Sequence, residues 1–516
     1  MTIKKMFQLN RPEDFKGQIE LALPVRIEKL YKLLQKTISS FPDDTLTLHQ
    51  EKLKELSVLI IEFAEDLYCG YGFWLAFEKY NRQFFDTPLP IVMKSGEELN
   101  NKFSSMRVLF LLQHVYGIMK PEIIISHSHI NLLQLSDIIS GFLSNSFTNL
   151  SLVSGIGKLL ACSNTEAGDV KKKLLWLGTK SYLFRLSFFE SVGENFSEEN
   201  EINIIDDFIC AESTRLSGLG VIDILAECLP ITEEEISDLR SWYEKHYSAF
   251  KVLSRENEQI RALNIVNNQE YTIITGEFTQ HFRIDNIVCG SLIPWRGNWF
   301  WSGTQHFLPK EAHEEIVKDF YKQPRIIYRY CKDLLDKAVE GNRKQFENFT
   351  SFYNSDLSIF SDGQTMPDSE QNRNTLMIKN SLSKREQKNL AKKHNMKGGP
   401  PQLEYPDELL AISDGVAVFF KADEGIEIAV HYNVIKSAFL KKGEDYTEEE
   451  LRSIFGIMES YVISPDFIKR IIKEYGAESL LKAFMIESNE ISAVDYLLRK
   501  YKGHFYRNRY PSVTVF

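Results

Sequence analysis

QEKLKELSVLIIEFAEDLYCGYGFWLAFEKYNRQFF, residues Gln50 to Phe85, decides how the chain is read. Apolar residues recur at three- and four-residue spacing from Leu53 to Phe85, the period of a helix that buries one face. Gly70 and Gly72 interrupt the pattern and predict a tight junction between two helices. The same period returns over 103–119, 132–147, 170–192 and 202–212. The run Thr232-Glu-Glu-Glu235 is a capping-box start for a helix expected to reach about Phe250. Several of these helices are apolar over much of their surface, which stacked, buried helices explain. Residues 1–247 are therefore read as a helical domain.

The pattern changes beyond it. KVLSR, IRALNIV, EYTIITG, NIVCGSLIPW and NWFWSG are short β-branched or aromatic runs, punctuated by Asn267-Asn268, Gly276, Gly290 and Arg296-Gly297-Asn298. Strands of this length and spacing predict a small antiparallel barrel or curled sheet over 248–309. Its last hairpin, SLIPWRGNWFWSG, is expected to turn at Gly297-Asn298. A helical extension broken at Pro324 follows over 310–353. From 354 to 406 the composition shifts to Ser, Asn, Asp, Gln and Lys and closes on Gly398-Gly399-Pro400-Pro401, which reads as a flexible basic linker. Order returns over 407–516. VAVFF and IEIAV flank Asp423-Glu424-Gly425 as a hairpin, four helices follow, and SVTVF is a candidate third strand. The fold class is thus multidomain and mainly α, with a helical N-terminal domain, a small antiparallel β module and an α+β C-terminal domain.

Composition agrees. The 516 residues are 43% apolar and 26% charged, with 35 Phe and 22 Tyr, so material for large cores is ample. A net charge of −10 argues against a surface devoted to nucleic acid or anionic membrane. No apolar stretch approaches the roughly 18 residues of a membrane span. The first residues lack the apolar core of a secretory signal. Cys69, Cys162, Cys210, Cys228, Cys289 and Cys331 are scattered, as in a reduced cytosolic protein. A cytoplasmic location follows.

Motifs for chemistry are sparse. Ser154-Gly155-Ile156-Gly157-Lys158 lacks the spacing of a phosphate loop, and no dinucleotide fingerprint or nucleophile elbow occurs. His127 and His129 lie two apart without a supporting acid or third histidine, so no metal site is expected. No cofactor is expected, and the catalytic residues, if any, are unknown. The carboxylates Glu62, Glu65, Asp66 and Glu78, and Asp206, Asp207 and Glu212, lie on apolar helices where burial could tune them for acid–base work. Two cationic segments stand out. KNSLSKREQKNLAKKHNMK sets seven Lys or Arg, among them Lys384, Arg385, Lys388, Lys392 and Lys393, against one acid. The tail YKGHFYRNRYPSVTVF interleaves Arg507 and Arg509 with Tyr506 and Tyr510, the ingredients of a single-strand binder. Helical spacing before Gly503 makes that tail the closing element of a folded domain as readily. Trp299 and Trp301 share one face of their hairpin, which serves either as core or as a recognition platform.

SAFKVLS, EYTIITGE and IDNIVCGSLIPWRGNWFWSGTQHFLP together resemble a small module of uncharacterised bacterial proteins, some relatives of which adjoin SEC-C-type zinc motifs. The likeness covers about 248–309, lacks the SEC-C cysteine cluster, and implies no catalytic residue. The leading expectation is a non-catalytic binding or adaptor protein with a protein partner. The alternatives are a metal- or acid-dependent hydrolase or nuclease, and a nucleic-acid binder using the basic linker and tail. The oligomeric state is left open.

Overall fold

The computed structural model describes residues 1–515 except 95, 194–196, 198–199, 382, 394–403 and 488–490. The fold is mainly α with two small sheets. The chain divides into two units, Met1–Lys322 with Phe484–His504, and Gln323–Ala483 with Phe505–Phe516.

The first unit opens with a helical body. Its helices are α1 (Ile3–Leu9), α2 (Ile19–Ile38), α3 (Gln50–Cys69), α4 (Phe73–Phe85), α5 (Ser105–Met119), α6 (Ile130–Ser146), α7 (Gly155–Ala161), α8 (Ala167–Lys180), α9 (Arg185–Val192), α10 (Glu201–Cys210), α11 (Val221–Cys228) and α12 (Glu233–Ser241). The predicted junction is there: Gly70 and Gly72 take φ of +73° and +97°, left-handed angles that turn the chain from α3 into α4 without a Cβ clash. Residues 170–192 form two helices rather than one, because Ser181 leaves α8 in extended backbone. The Thr232 capping box forms, but its helix ends at Ser241, since the chain from His246 onward pairs as a strand.

Those strands are β1 (His246–Glu256), β2 (Gln259–Asn264), β3 (Glu270–Ile274), β4 (Ile287–Trp295) and β5 (Asn298–Leu308), closed in the order β1-β2-β3-β5-β4. The module is not purely antiparallel, because β3 and β5 run parallel where the last hairpin reaches back across the sheet. This is the Greek-key order of an OB-type barrel. Trp295 faces Asn298, so the tight turn is Arg296-Gly297, not Gly297-Asn298. Its φ values of +50° and +75° suit the type I′ geometry that matches strand twist. A short helix, α13 (His313–Phe320), follows the barrel.

The second unit contains α14 (Pro324–Tyr330), α15 (Lys332–Tyr353), β6 (Leu357–Phe360), α16 (Thr365–Ser381), α17 (Lys384–Lys393), α18 (Asp407–Leu410), β7 (Val416–Lys421), β8 (Gly425–Val430), α19 (Tyr432–Leu440), α20 (Glu448–Glu459), α21 (Pro465–Tyr475) and α22 (Glu478–Ala483). A four-stranded sheet, β6-β7-β8 and a last strand at 512–515, lies between helices. VAVFF is buried throughout because both faces are covered. Val416, Val418 and Phe420 pack with Phe349 of α15 and Met366 of α16, while Phe419 meets Phe467 of α21 on the other side.

Two expectations are corrected here. Residues 310–353 are not one extension, because the chain from Gln323 belongs to the second unit. Within the stretch read as a flexible linker, residues 357–381 are folded: β6 pairs with β7, and α16 packs against α15. Polar composition misled because Arg373 and Glu370 satisfy each other inside the fold, 2.8 Å apart, with Asn348 and Tyr353 completing the set. Gly398-Gly399-Pro400-Pro401 lies outside the described residues.

The tail serves both units in turn. Helix α23 (Ile491–Lys502) belongs to the first, where Tyr496 meets Phe85 and Phe110, and Arg499 lies 3.6 Å above the Phe84 ring. Gly503 has no room for a side chain, since a Cβ there would stand 2.8 Å from Cα of Gly218. The final strand, β9 (Ser512–Val515), joins β8 in parallel in the second unit.

Candidate functional site

The acids that could have formed a catalytic centre are held by donors. Glu65 on α3 takes both terminal nitrogens of Arg11, at 3.0 and 2.7 Å, and the Tyr71 hydroxyl at 2.7 Å. Glu62, one turn away, accepts from Arg185 at 2.5 Å, and Arg185 also donates to Glu55 at 2.6 Å. Burial raises the Glu62 carboxyl above its ordinary range in spite of the two arginines. Asp66 caps the start of α4, accepting the amides of Gly72, Phe73 and Trp74 and the Tyr182 hydroxyl. Burial nonetheless pushes its carboxyl up to about 6. Glu78 accepts from Arg107 at 2.6 and 2.9 Å and from the Trp74 indole at 2.7 Å. Glu62 and Asp66 face a cavity of only about 10 Å³, the space of a single water.

Asp206 is engaged in the same way. It pairs with Lys171 of α8 and with Lys245 at 2.7 Å, and Ser302 of β5 donates to it at 2.9 Å. This cluster ties the helical body to the barrel. Although burial lowers it, the Lys245 amine is held above its ordinary value by Asp206 and Asp207 and stays protonated. Among the described residues, no group of three or more His, Cys, Asp or Glu is arranged to hold a metal. The start of α7, where the Gly-rich 154–158 run lies, is filled by the Glu20 carboxylate, which accepts the Gly155 amide at 2.6 Å.

The open site is elsewhere. A cleft of about 500 Å³ lies between the Arg11–Phe15 loop, α8, and the pair α9 and α10, within the roughly 300–1,000 Å³ usual for ligand sites. One wall is the outward stripe of α8: Lys172, Leu175, Trp176, Thr179 and Lys180, at i, i+3, i+4, i+7 and i+8. The opposite wall carries Phe188 and Phe189 of α9 and Glu201 and Ile205 of α10. Phe189 is 63% exposed and Leu175 41%, whereas the neighbouring Trp176 and Phe188 are buried.

The rim is built rather than loose. The Trp176 indole donates to the Asn10 carbonyl at 3.0 Å, and Lys158 donates to the Lys16 carbonyl at 2.7 Å. The amides of Gln18 and Ile19 share the Val153 carbonyl. Gly17 permits this approach, since a Cβ there would stand 2.5 Å from Cα of Ser154. Arg11, at the back of the cleft, is anchored by Glu65 and lies 3.9 Å over the Phe7 ring. Lys172, Lys180, Glu13, Asp14 and Glu201 line the mouth, and none forms an ion pair with a described residue.

The residues singled out from sequence do not meet in one place. Trp299 and Trp301 are half-buried and pack against Phe250, Tyr271 and Phe282 of the barrel core, so much of each ring is already covered rather than laid open as a platform. The outer β2–β3 face, where OB barrels hold nucleic acid, offers Arg261 already paired with Glu270 at 2.5 Å. In the tail, Arg509 lies 4.0 Å over Phe505 and 3.4 Å from Glu424, and Tyr510 faces Tyr328. Tyr506 is exposed, and Arg507 is half-buried. Lys384, Arg385, Lys388 and Lys392 are exposed on α17, and Lys393 ends that helix. His127 and His129 flank Ser128, which donates to Glu487 at 2.7 Å. Sequence reading missed the α8 stripe, although 170–192 carries more apolar residues than one buried face needs.

Comparison with family models, with curated proteins and with solved structures finds no match to the chain.

Proposed function

We propose that this is a non-catalytic binding protein, and that the cleft between α8, α9 and α10 receives an apolar segment of a partner protein. The carrying observation is the contrast between saturated acids and an open apolar cleft. The buried carboxylates already hold arginine, tyrosine or backbone donors and face a water-sized cavity. The cleft presents Leu175 and Phe189 beside the mostly buried Trp176, on a braced rim. Among the described residues no helix is long and apolar enough to cross a membrane, and no disulfide joins any of the cysteines, which supports a reducing compartment such as the cytoplasm.

The test is selection from a displayed peptide library by the full chain and by its Leu175→Glu/Phe189→Glu variant. Apolar sequences should be enriched by the native protein and lost with the variant. Equal enrichment by both would end the proposal. A second reading rests on α17, where Lys384, Arg385, Lys388 and Lys392 are exposed. It requires binding of single-stranded nucleic acid that weakens steeply with salt and is lost on Lys384→Glu/Lys388→Glu/Lys392→Glu.

A further inference from the structure

The cleft's chemistry narrows its occupant, an inference that rests on the binding reading above. The side of α8 toward the cleft exposes Lys172, Leu175 and Lys180, while Trp176 on the same stripe is mostly buried against Phe73 and shows the cleft only an edge. The opposite face of the same helix already buries Val170, Leu174 and Leu177 in the core. Spacing at i, i+3, i+4, i+7 and i+8 is the ridge that a second helix packs against, because its own side chains repeat at the same interval. An extended segment would match that ridge only at isolated points.

Charge then orients the occupant. Lys172 and Lys180 stand at the two ends of the stripe, eight residues and therefore about 12 Å apart along the axis. Glu201 lies on the opposite wall, and Glu13 and Asp14 on the loop. These side chains are exposed, and no described residue neutralises them. A segment seated between the walls meets cations along one flank and anions along the other.

We propose that the occupant is an amphipathic helix of a partner protein. Its apolar face sits on Leu175 and Phe189, beside the exposed edge of Trp176. On the flank toward α8 it carries acidic residues about two turns apart, facing Lys172 and Lys180, and on the other flank it carries basic residues.

A synthetic amphipathic helix with Leu and Phe at i, i+3, i+4 and i+7, Glu on one flank and Lys on the other, tests this by fluorescence anisotropy with the full chain. Lys172→Glu/Lys180→Glu should weaken binding on the order of tenfold, as two rim pairs turned into repulsions allow. A peptide with Lys in place of its Glu flank should regain binding to that variant. Unchanged thermal unfolding of the variant, both lysines being exposed, keeps the comparison clean. Affinity that ignores the charges but is lost with Phe189→Glu would overturn the helix orientation and leave the cleft reading standing. Equal binding of a proline-interrupted peptide of the same composition would overturn the helical occupant. Binding by neither peptide, or binding indifferent to Phe189→Glu, would overturn both. Concentration-dependent self-association abolished by Phe189→Glu would identify a second copy as the occupant and overturn the partner.

Discussion

Two aromatic-rich surfaces of the first unit look alike in sequence and differ in kind. The β4–β5 hairpin holds Trp295, Trp299, Phe300 and Trp301 within seven positions, yet Trp295 is buried in the helical core and the other three pack half-buried against the barrel or helical core. The α8 wall has a single tryptophan, and beside it Leu175 faces an open cleft. Density of aromatics therefore does not mark the site. Apolar side chains left exposed, beside charges that no described residue pairs, do.

The sharpest way to break this contrast is at the back of the cleft. Arg11→Met leaves Glu65 buried without its cation and should destabilise the protein by about 3–5 kcal/mol in urea unfolding. A change under about 1 kcal/mol would mean that the rim is not braced as described. Next, Trp301→Ala should lower stability by about 2 kcal/mol, as loss of a half-buried ring stacked on Phe282 and packed on Phe250 does, while peptide affinity at the cleft stays the same. Near-neutral stability would restore Trp301 to the surface and reopen the platform.

The two units also contain carboxylates of opposite pH behaviour. Burial raises Asp66 to about 6, above its unfolded value near 4. Its contribution is therefore complete at acid pH and is lost as pH rises through about 6. The Asp66→Asn protein should lack that component, so its stability should fall less than the native protein's between pH 5 and 7. Glu450 runs the other way: hydrogen bonds from Lys441 and Ser437, with the Thr447 amide, lower it to about 2. Its contribution is present above its unfolded value of about 4 and is lost as pH falls toward 2. Glu450→Gln should flatten the acid limb of the unfolding curve. Parallel curves for native and variant proteins would refute either assignment. The smallest expected effect is Leu175→Ala, which should change stability by less than about 0.5 kcal/mol while weakening the cleft peptide.

Much of the fold was legible in the sequence. The Gly70 and Gly72 junction, the Thr232 and Thr447 capping boxes and the aromatic hairpin rest on local chemistry, and local chemistry is what a sequence displays. The order of 354–393 was not. Arg373 and Glu370 read as solvated until tertiary structure sets Asn348 and Tyr353 around them. The parallel β3–β5 pairing was hidden because it joins residues distant in the chain. The cleft was legible only in part. The apolar excess on α8 is visible, but which stripe stays uncovered depends on α9, α10 and the Arg11–Phe15 loop.

Hydrogen exchange of the full chain, with and without the amphipathic peptide, tests the account most directly. Protection should appear in α8, α9 and the start of α10, and should leave 291–303 and α17 unchanged. Protection confined to the β4–β5 hairpin or to α17 would contradict it.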